Sequence, residues 1–355
     1  MKVLITGICG FAGATISKWL VERIEGLSVS GIDNLMRPGS ETNRADLKRA
    51  GATVIHGDIR NPSDFETLPN VDWVIEAAAN PSVLAGVNSS GTSRQLFEHN
   101  LASVANTLEY CKVHGAGLLL LSTSRVYSIT ALTNLPLESG EDAFRLDCSK
   151  PLPRGVSAQG INGDFSTEAP ISLYGSTKLA AEAVALEYGI AFDFPVWINR
   201  CGVLAGAGQF GTPDQGIFSY WVNAHLRRRP MRYIGFGGTG HQVRDAFHPR
   251  DLAELLHRQM KTSRRGGPRT YTVGGGATNG MSLAQLTQWC NSRFGKNQPE
   301  PDDRPRKYDV PWIVMDSAHA TRDFDWRCGM SLLAILEELA SHAEQHPEWL
   351  EVSGS

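Results

Sequence analysis

"KVLITGICGFAG", residues 2–13, is the stretch on which the fold turns. Its apolar start has the length and composition of a buried strand. The next segment, "AGATISKWLVERI", places Ile16, Trp19, Leu20 and Ile24 on one helical face. Gly7, Gly10 and Gly13 stand between the two. Glycines so placed let the chain turn tightly and approach a pyrophosphate, with the helix N-terminus facing the anion. A glycine triplet alone is a weak sign, because turns use glycine anyway. Between a strand and a helix it predicts a dinucleotide site.

Outward from this turn the chain alternates. "VSGID", "ATVIHGD", "VDWVIEAAA" and "GLLLLST" are further apolar runs, several ending in a small or acidic residue. Before the last, "FEHNLASVANTLEYCKVHG" repeats Leu101, Val104, Ala105, Leu108 and Cys111 at helical spacing. Strand–helix units with nearly continuous apolar strands predict a Rossmann-type, doubly wound parallel α/β sheet covered on both faces. Ligands gather beyond the carboxyl ends of such strands. After Arg200 the pattern loosens, which suits a smaller C-terminal α+β substrate lobe. The expected division is 1–202 with about 243–262 as the NAD-binding domain, 203–242 with 263–345 as the substrate lobe, and 346–355 as a tail whose end, "EVSGS", is expected to be disordered. The Pro-, Gly- and Ser-rich stretch Leu137–Ala169 is too long for a plain connection and is expected to be a substrate loop or cover.

Composition narrows the function. A net charge of −3 argues against nucleic acid as a partner. The six cysteines include no CxxC and have no histidine at ligand spacing, so neither a disulfide framework nor a metal site is expected. No apolar run is long enough for a membrane span, and no targeting segment precedes the first strand; the expected location is the cytoplasm.

The polar signals fall at strand ends. Asp33 lies about 20 residues after the glycine turn, where an acid would bind ribose hydroxyls. Its charge repels the 2′-phosphate of NADP and favours NAD, although Arg37 is close by. Asp58 and Ile59 suit adenine contacts, and the small Ala77, Ala78 and Ala79 suit close approach to a cofactor; turn and packing roles explain these residues equally well. In "SLYGSTKLAAE", Tyr174 and Lys178 lie one above the other on a helix face. Removing a hydride from an alcohol requires a base for the hydroxyl proton. A tyrosine, with its usual pKa of ~10, serves only if a nearby cation favours the phenolate. Thr123, in "STSRVY", offers a hydroxyl to hold the reacting oxygen.

These motifs, with "DNL", "GDIRN", "EAAANPSV", "EHNLASVANTLEYC", "YGSTK" and "QVRDAFHPRDL", make the chain resemble the extended short-chain dehydrogenase/reductases, specifically the NAD-dependent epimerase/dehydratase family. The resemblance runs from Met1 to about residue 345. It implies Thr123 as the hydroxyl helper, Tyr174 as the base, Lys178 as its electrostatic partner and Asn100 as support for the lysine through water. Phe11 and Asn34 join the cofactor residues by the same route, as do Asn100, Tyr174 and Lys178. The family's 4,6-dehydratases carry Thr-Asp-Glu where this chain has Thr123-Ser124-Arg125. Arg is cationic at any working pH, so the acid and base for eliminating water are missing and oxidation followed by reduction remains. "NRCGVLAGAGQFGTPDQGIFSYW", "GTGHQVRDAFHPRDL" and the Cys148–Pro153 insert are similar to the CDP-tyvelose (CDP-paratose) 2-epimerases.

That likeness implies a CDP-linked deoxyhexose, with Ser124, Arg125, Arg200, Gln209, Asp214, Gln215, Arg244 and Arg306 at the substrate. Arg244 and Arg306 would hold the diphosphate with forked, charge-assisted donors. Surface ion pairs, or for Asp214 and Gln215 a polar turn, are the competing explanations. Departures stand at Val203, where many relatives have Asn, and at Ala205, where a Tyr is expected. The alternatives are a 4-epimerase of a UDP- or other NDP-hexose, an NDP-sugar dehydratase and a non-catalytic NAD-sensing regulator. The resemblance also implies a homodimer, paired through helices at 95–113 and 174–189.

Overall fold

The computed structural model describes residues 1–87, 92–262 and 269–354. Five strands, β1 (Lys2–Thr6), β2 (Ser28–Asp33), β3 (Thr53–His56), β4 (Trp73–Glu76) and β5 (Gly117–Thr123), join the strands Val196–Cys201 and Thr270–Val273 in one sheet. From one edge the order is Thr270–Val273, Val196–Cys201, β5, β4, β1, β2, β3, and every pair is parallel. The near-continuous apolar runs follow from this, because successive residues feed opposite faces. Val3, Ile5, Trp73, Ile75, Leu119 and Leu121 enter one core, and Leu4, Val74, Leu118 and Leu120 the other. The chain winds from β1 to β2 and β3 on one side, then returns to β4 and β5 on the other. The crevice opens at that reversal, between the ends of β1 and β4.

Helix α1 (Phe11–Arg23) packs on one face beside the Pro249–Lys261 helix. Ile16 and Leu20 of α1 are completely buried, as the helical spacing required. The Ser103–His114 and Ser172–Ala191 helices cover the other face, the former preceded by a π-helical turn at Glu98–Ala102.

A smaller lobe follows. Val203–Leu204, Val243–Phe247 and Gly280–Ser282 form its sheet, with Trp312–Ile313 also paired to Val243–Phe247. The Ile217–Leu226, Leu283–Phe294 and Leu332–Gln345 helices share its core. Two strands fall on the other side of the expected division. Thr270–Val273 is an edge of the large sheet, and Val243–Phe247 builds the small one. Short apolar strands carry no mark of their partner, so pairing decided where each went.

Two expectations are corrected. Leu137–Ala169 does not border the cavity; its small hairpins pack with Val310–Met315 in a separate apolar cluster, as Leu146, Ile161 and Phe165 show. Residues 349–353 are helical or buried rather than a free tail. Trp349–Val352 is a helical turn, Trp349 and Leu350 are buried, and Trp349 Nε1 donates to the Gln209 carbonyl at 2.9 Å. No helix among the described residues is long and apolar enough to cross a membrane.

Candidate active site

A cavity of about 790 Å³ runs from the glycine turn to the small lobe, towards the upper end of the ~300–1,000 Å³ usual for small-molecule sites. Its first half is backbone and small side chains. Gly7 has a φ of +64°, its N–H donates to Ile32 O at 2.8 Å, and a Cβ there would lie 2.8 Å from Ala78 Cα. A Cβ on Gly13 would lie 2.3 Å from Gly7 O, so only glycine lets α1 start so close to β1. Gly10 occupies the N-cap of α1 and no side chain caps it, which leaves the helix's first N–H groups open to an anion. Asp33 Oδ2 accepts from Cys9 N and Oδ1 from Leu35 N, both at 2.8 Å, and burial raises its carboxyl. Phe11, Asn34, Asp58, Ile59, Ala77, Ala78 and Ala79 also line this half. Asn34 and Arg60 both donate to Asp58, and Arg60 holds that carboxyl well below the usual range.

At the centre, β5 ends at Thr123 and the chain enters a short 3₁₀ turn, Ser124–Val126. Arg125 N donates to Thr123 Oγ1 at 3.1 Å, leaving that hydroxyl's own proton free to donate. The Ser172–Ala191 helix lies directly on this turn; a Cβ on Gly175 would be 2.3 Å from Arg125 O. Tyr174 is thereby set near Thr123, and both border the cavity. Burial pushes the Tyr174 phenol up to about 12, while Thr123 and the Arg125 charge work the other way. Lys178 is 2% exposed and has no hydrogen-bond partner among the described residues, although its side chain borders the cavity. Burial lowers its pKa, and the carboxylates of Glu76 and Glu182 oppose that. An open helix N-terminus, a strand-end carboxylate and an unpartnered buried ammonium along one cavity fit a dinucleotide.

Arg125 is half-buried, and its Nη1 donates to Tyr308 O at 3.3 Å. Burial and the neighbouring Arg244 bring it down to about 10, still cationic at neutral pH. Ser124 is beside it on the cavity wall. In the half nearer the small lobe, Arg244 Nη2 pairs with Asp309 Oδ1 at 2.8 Å, and Arg306 Nη2 with Asp214 Oδ1 at 2.8 Å. Gln215 Oε1 accepts from Arg37 Nη1 at 2.8 Å. Asp214 and Gln215, expected at sugar hydroxyls, are therefore engaged with arginines. Gln209 borders the cavity, with its amide donating to Leu204 O.

Arg200 is a clear correction. It does not border the cavity. Its Nε and Nη2 grip the Glu182 carboxylate at 3.1 and 2.7 Å, its guanidinium lies over the Tyr127 ring, and Ser122 also donates to Glu182. It braces the helix that carries Tyr174 and Lys178. Asn100 is likewise set back from the cavity: its Oδ1 accepts from Asn80 N at 2.7 Å and its Nδ2 donates to Asn80 O at 2.9 Å, clamping the loop after β4. Glu182 escaped the sequence reading although it stands one turn beyond Lys178. Asp309 and Tyr308 gave no local signal, since only the tertiary fold brings them to Arg244 and Arg125.

The chain is similar to known proteins. The model of a family described as the NAD dependent epimerase/dehydratase family matches residues 3–274. CDP-paratose 2-epimerase of Salmonella typhi is 27% identical over 342 residues, covering 92% of this chain and 94% of that protein. UDP-glucuronate 4-epimerase of Thermodesulfobacterium geofontis is 24% identical over 354 residues, covering 97% of each. Among solved structures, UDP-glucuronic acid 4-epimerase from Bacillus cereus, in complex with UDP-glucuronic acid and NAD, has a TM-score of 0.77 at 22% identity, covering 97% of this chain and 99% of that one. At that identity the likeness speaks for the fold alone.

Proposed function

The chain belongs to the NAD dependent epimerase/dehydratase family, and from that premise we propose that it epimerises a nucleotide-linked sugar, oxidising one ring carbon to a ketone and reducing it from the opposite face. NAD, the family's cofactor, would be held by the Gly7–Gly13 turn and Asp33 and would supply the acceptor and donor for the sugar's hydride. The observation that carries the reading is the grouping of Thr123, Tyr174 and Lys178 with Arg125 where elimination would need a carboxylate. The cavity's four carboxylates are occupied: Asp33 by backbone N–H groups, Asp58 by Arg60 and Asn34, Asp309 by Arg244 and Asp214 by Arg306. None is free to expel water from the ketone.

Tyr174 takes the sugar's hydroxyl proton and later returns it. Its phenol is neutral at rest, so it first gives its own proton to solvent; the Arg125 charge favours that phenolate, and the Lys178 ammonium one helical turn on adds to it. Thr123 holds the reacting oxygen, and Arg244 and Arg306 exchange their carboxylates for the substrate's diphosphate. Asp33 binds the adenosine ribose. Ser124 and Gln209 contact the sugar.

The preferred substrate is a CDP-linked deoxyhexose inverted at C2; the likeness to CDP-paratose 2-epimerase over most of both chains supports it. The second reading, inversion at C4 of a UDP-sugar, is supported by relatives such as UDP-glucuronate 4-epimerase. Incubating CDP-, UDP-, GDP- and dTDP-sugars in deuterated water and following them by NMR tests both. Direct hydride return leaves the inverted carbon with its original hydrogen; deuterium there would defeat the mechanism. A homodimer completes the proposal. Phe97, Val113, Leu173, Val184, Ile190 and Phe192 are exposed, and all sit on or beside the two helices expected to pair. Light scattering should give twice the 38.7 kDa chain mass.

A further inference from the structure

An epimerase that returns the hydride it removed has to keep its cofactor between the two half-reactions. Nothing in the glycine turn itself closes over the adenosine end of the cavity. Residues near the end of the sequence pack behind one wall of it. Arg37, in the loop after β2, borders the cavity; its guanidinium carbon lies 5.6 Å from the Phe210 ring centroid and its Nη1 donates to Gln215. Phe210 is buried and stacks on Trp349, with centroids 5.4 Å apart and planes 17° from parallel. Trp349 Nε1 donates to Gln209 O at 2.9 Å, tying the terminal turn to the residue before Phe210. His342 closes the far side of the stack, edge-on to Trp349 with centroids 4.5 Å apart. The fit is tight: a Cβ on Gly39, two residues after Arg37, would lie 2.7 Å from the Phe210 ring and 2.9 Å from Val352.

We propose that Arg37, Phe210 and Trp349 form a clasp that retains NAD by its adenosine half, with Trp349 a positioning residue acting through Phe210 and Arg37. The three come from the large-sheet side, the small lobe and the chain terminus, so the cofactor can leave only when contacts between them open. Phe210 belongs to a turn whose Gly208 and Gly216 have positive φ, +75° and +68°. Asp214 and Gln215 on the same turn hold Arg306 and Arg37, so one element touches both the cofactor wall and the diphosphate arginine. The inference rests on NAD as cofactor and extends the epimerase reading by assigning its retention.

The test is the dissociation rate of NADH from the whole protein, followed by its fluorescence after dilution into excess NAD. Trp349→Ala and Arg37→Ala are each expected to speed release about tenfold, and Trp349→Phe to restore it within about twofold. The double variant Trp349→Ala/Arg37→Ala should release no faster than either single one, because both open the same clasp. Binding of CDP and UDP, measured alongside by calorimetry, should change less than twofold. Wild-type release rates in both single variants, or a double variant whose effect is the product of the two, would overturn the clasp. A wild-type protein that binds neither NAD nor NADH would overturn the cofactor reading as well.

Discussion

At the cofactor end of the cavity, Gly7, Asp33 and Ala77–Ala79 come from three neighbouring strands whose ends lie side by side, and their work is done by backbone, small side chains and one carboxylate. At the substrate end, Arg125, Arg244 and Arg306 come from three distant parts of the chain, and Arg244 and Arg306 already hold a carboxylate. The first end is preformed: its shape depends on glycines that nothing larger can replace. The second is preloaded, with ion pairs that the proposed diphosphate would have to displace. A cofactor that stays and a substrate that turns over call for that difference.

The comparison breaks most sharply at the chemistry between the two ends. Tyr174→Phe keeps the ring and removes the proton carrier, so kcat should fall about 10³-fold, near the middle of the range for general acid–base groups. NAD content after purification should remain as in the wild type. If kcat were unchanged, Tyr174 would not be the base. Glu182→Gln tests the brace beneath it. It leaves the Arg200 charge buried without its partner and should cost about 3 kcal/mol or more, read from urea unfolding.

Next to Arg244 on its strand stands Asp245, wholly buried, whose Oδ2 accepts from Gly276 N at 3.2 Å and Met315 N at 3.3 Å. Burial raises its carboxyl to about 6. A carboxyl with a raised folded-state pKa contributes most stability below its unfolded value and loses that contribution as pH climbs through the folded one. Wild-type stability should therefore fall relative to Asp245→Asn between about pH 4 and 6, by up to about 3 kcal/mol for two pKa units. Melting curves of the pair across that window show it, and parallel curves would mean that Asp245 does not titrate there.

The smallest effects sharpen the idea of a preloaded substrate end. Arg244→Ala should raise KM for the nucleotide sugar about tenfold, whereas Asp309→Asn should lower it a few-fold by freeing Arg244. An increase of KM in Asp309→Asn would mean that the carboxylate orients the arginine for the diphosphate rather than competing with it.

Much of the first half of the molecule was legible because its signals are local. The glycine spacing, the strand ends and the Tyr174–Lys178 step all lie within a few residues of one another, and each carries its geometry with it. Leu137–Ala169 misled because composition marks a stretch as irregular without saying what it packs on. "EVSGS" looked like a free tail, yet Trp349 and Leu350 just before it are buried in the lobe core and against Phe210. Arg200 was mistaken for a ligand contact because a strand-end arginine next to a site is just as useful behind it.

The amino-acid sequence by itself determined the parallel sheet, the dinucleotide turn and the helical step that sets Tyr174 and Lys178 on one face. Periodicity and short-range spacing are properties of the local chain, and backbone geometry turns them directly into shape. Only the tertiary structure decided which charges meet: Arg200 with Glu182, Arg244 with Asp309, Arg306 with Asp214, and Trp349 over Phe210 beside Arg37. Those partners lie 18 or more residues apart in the chain, and a side chain's choice among many possible partners is made by packing, which no short window of sequence contains.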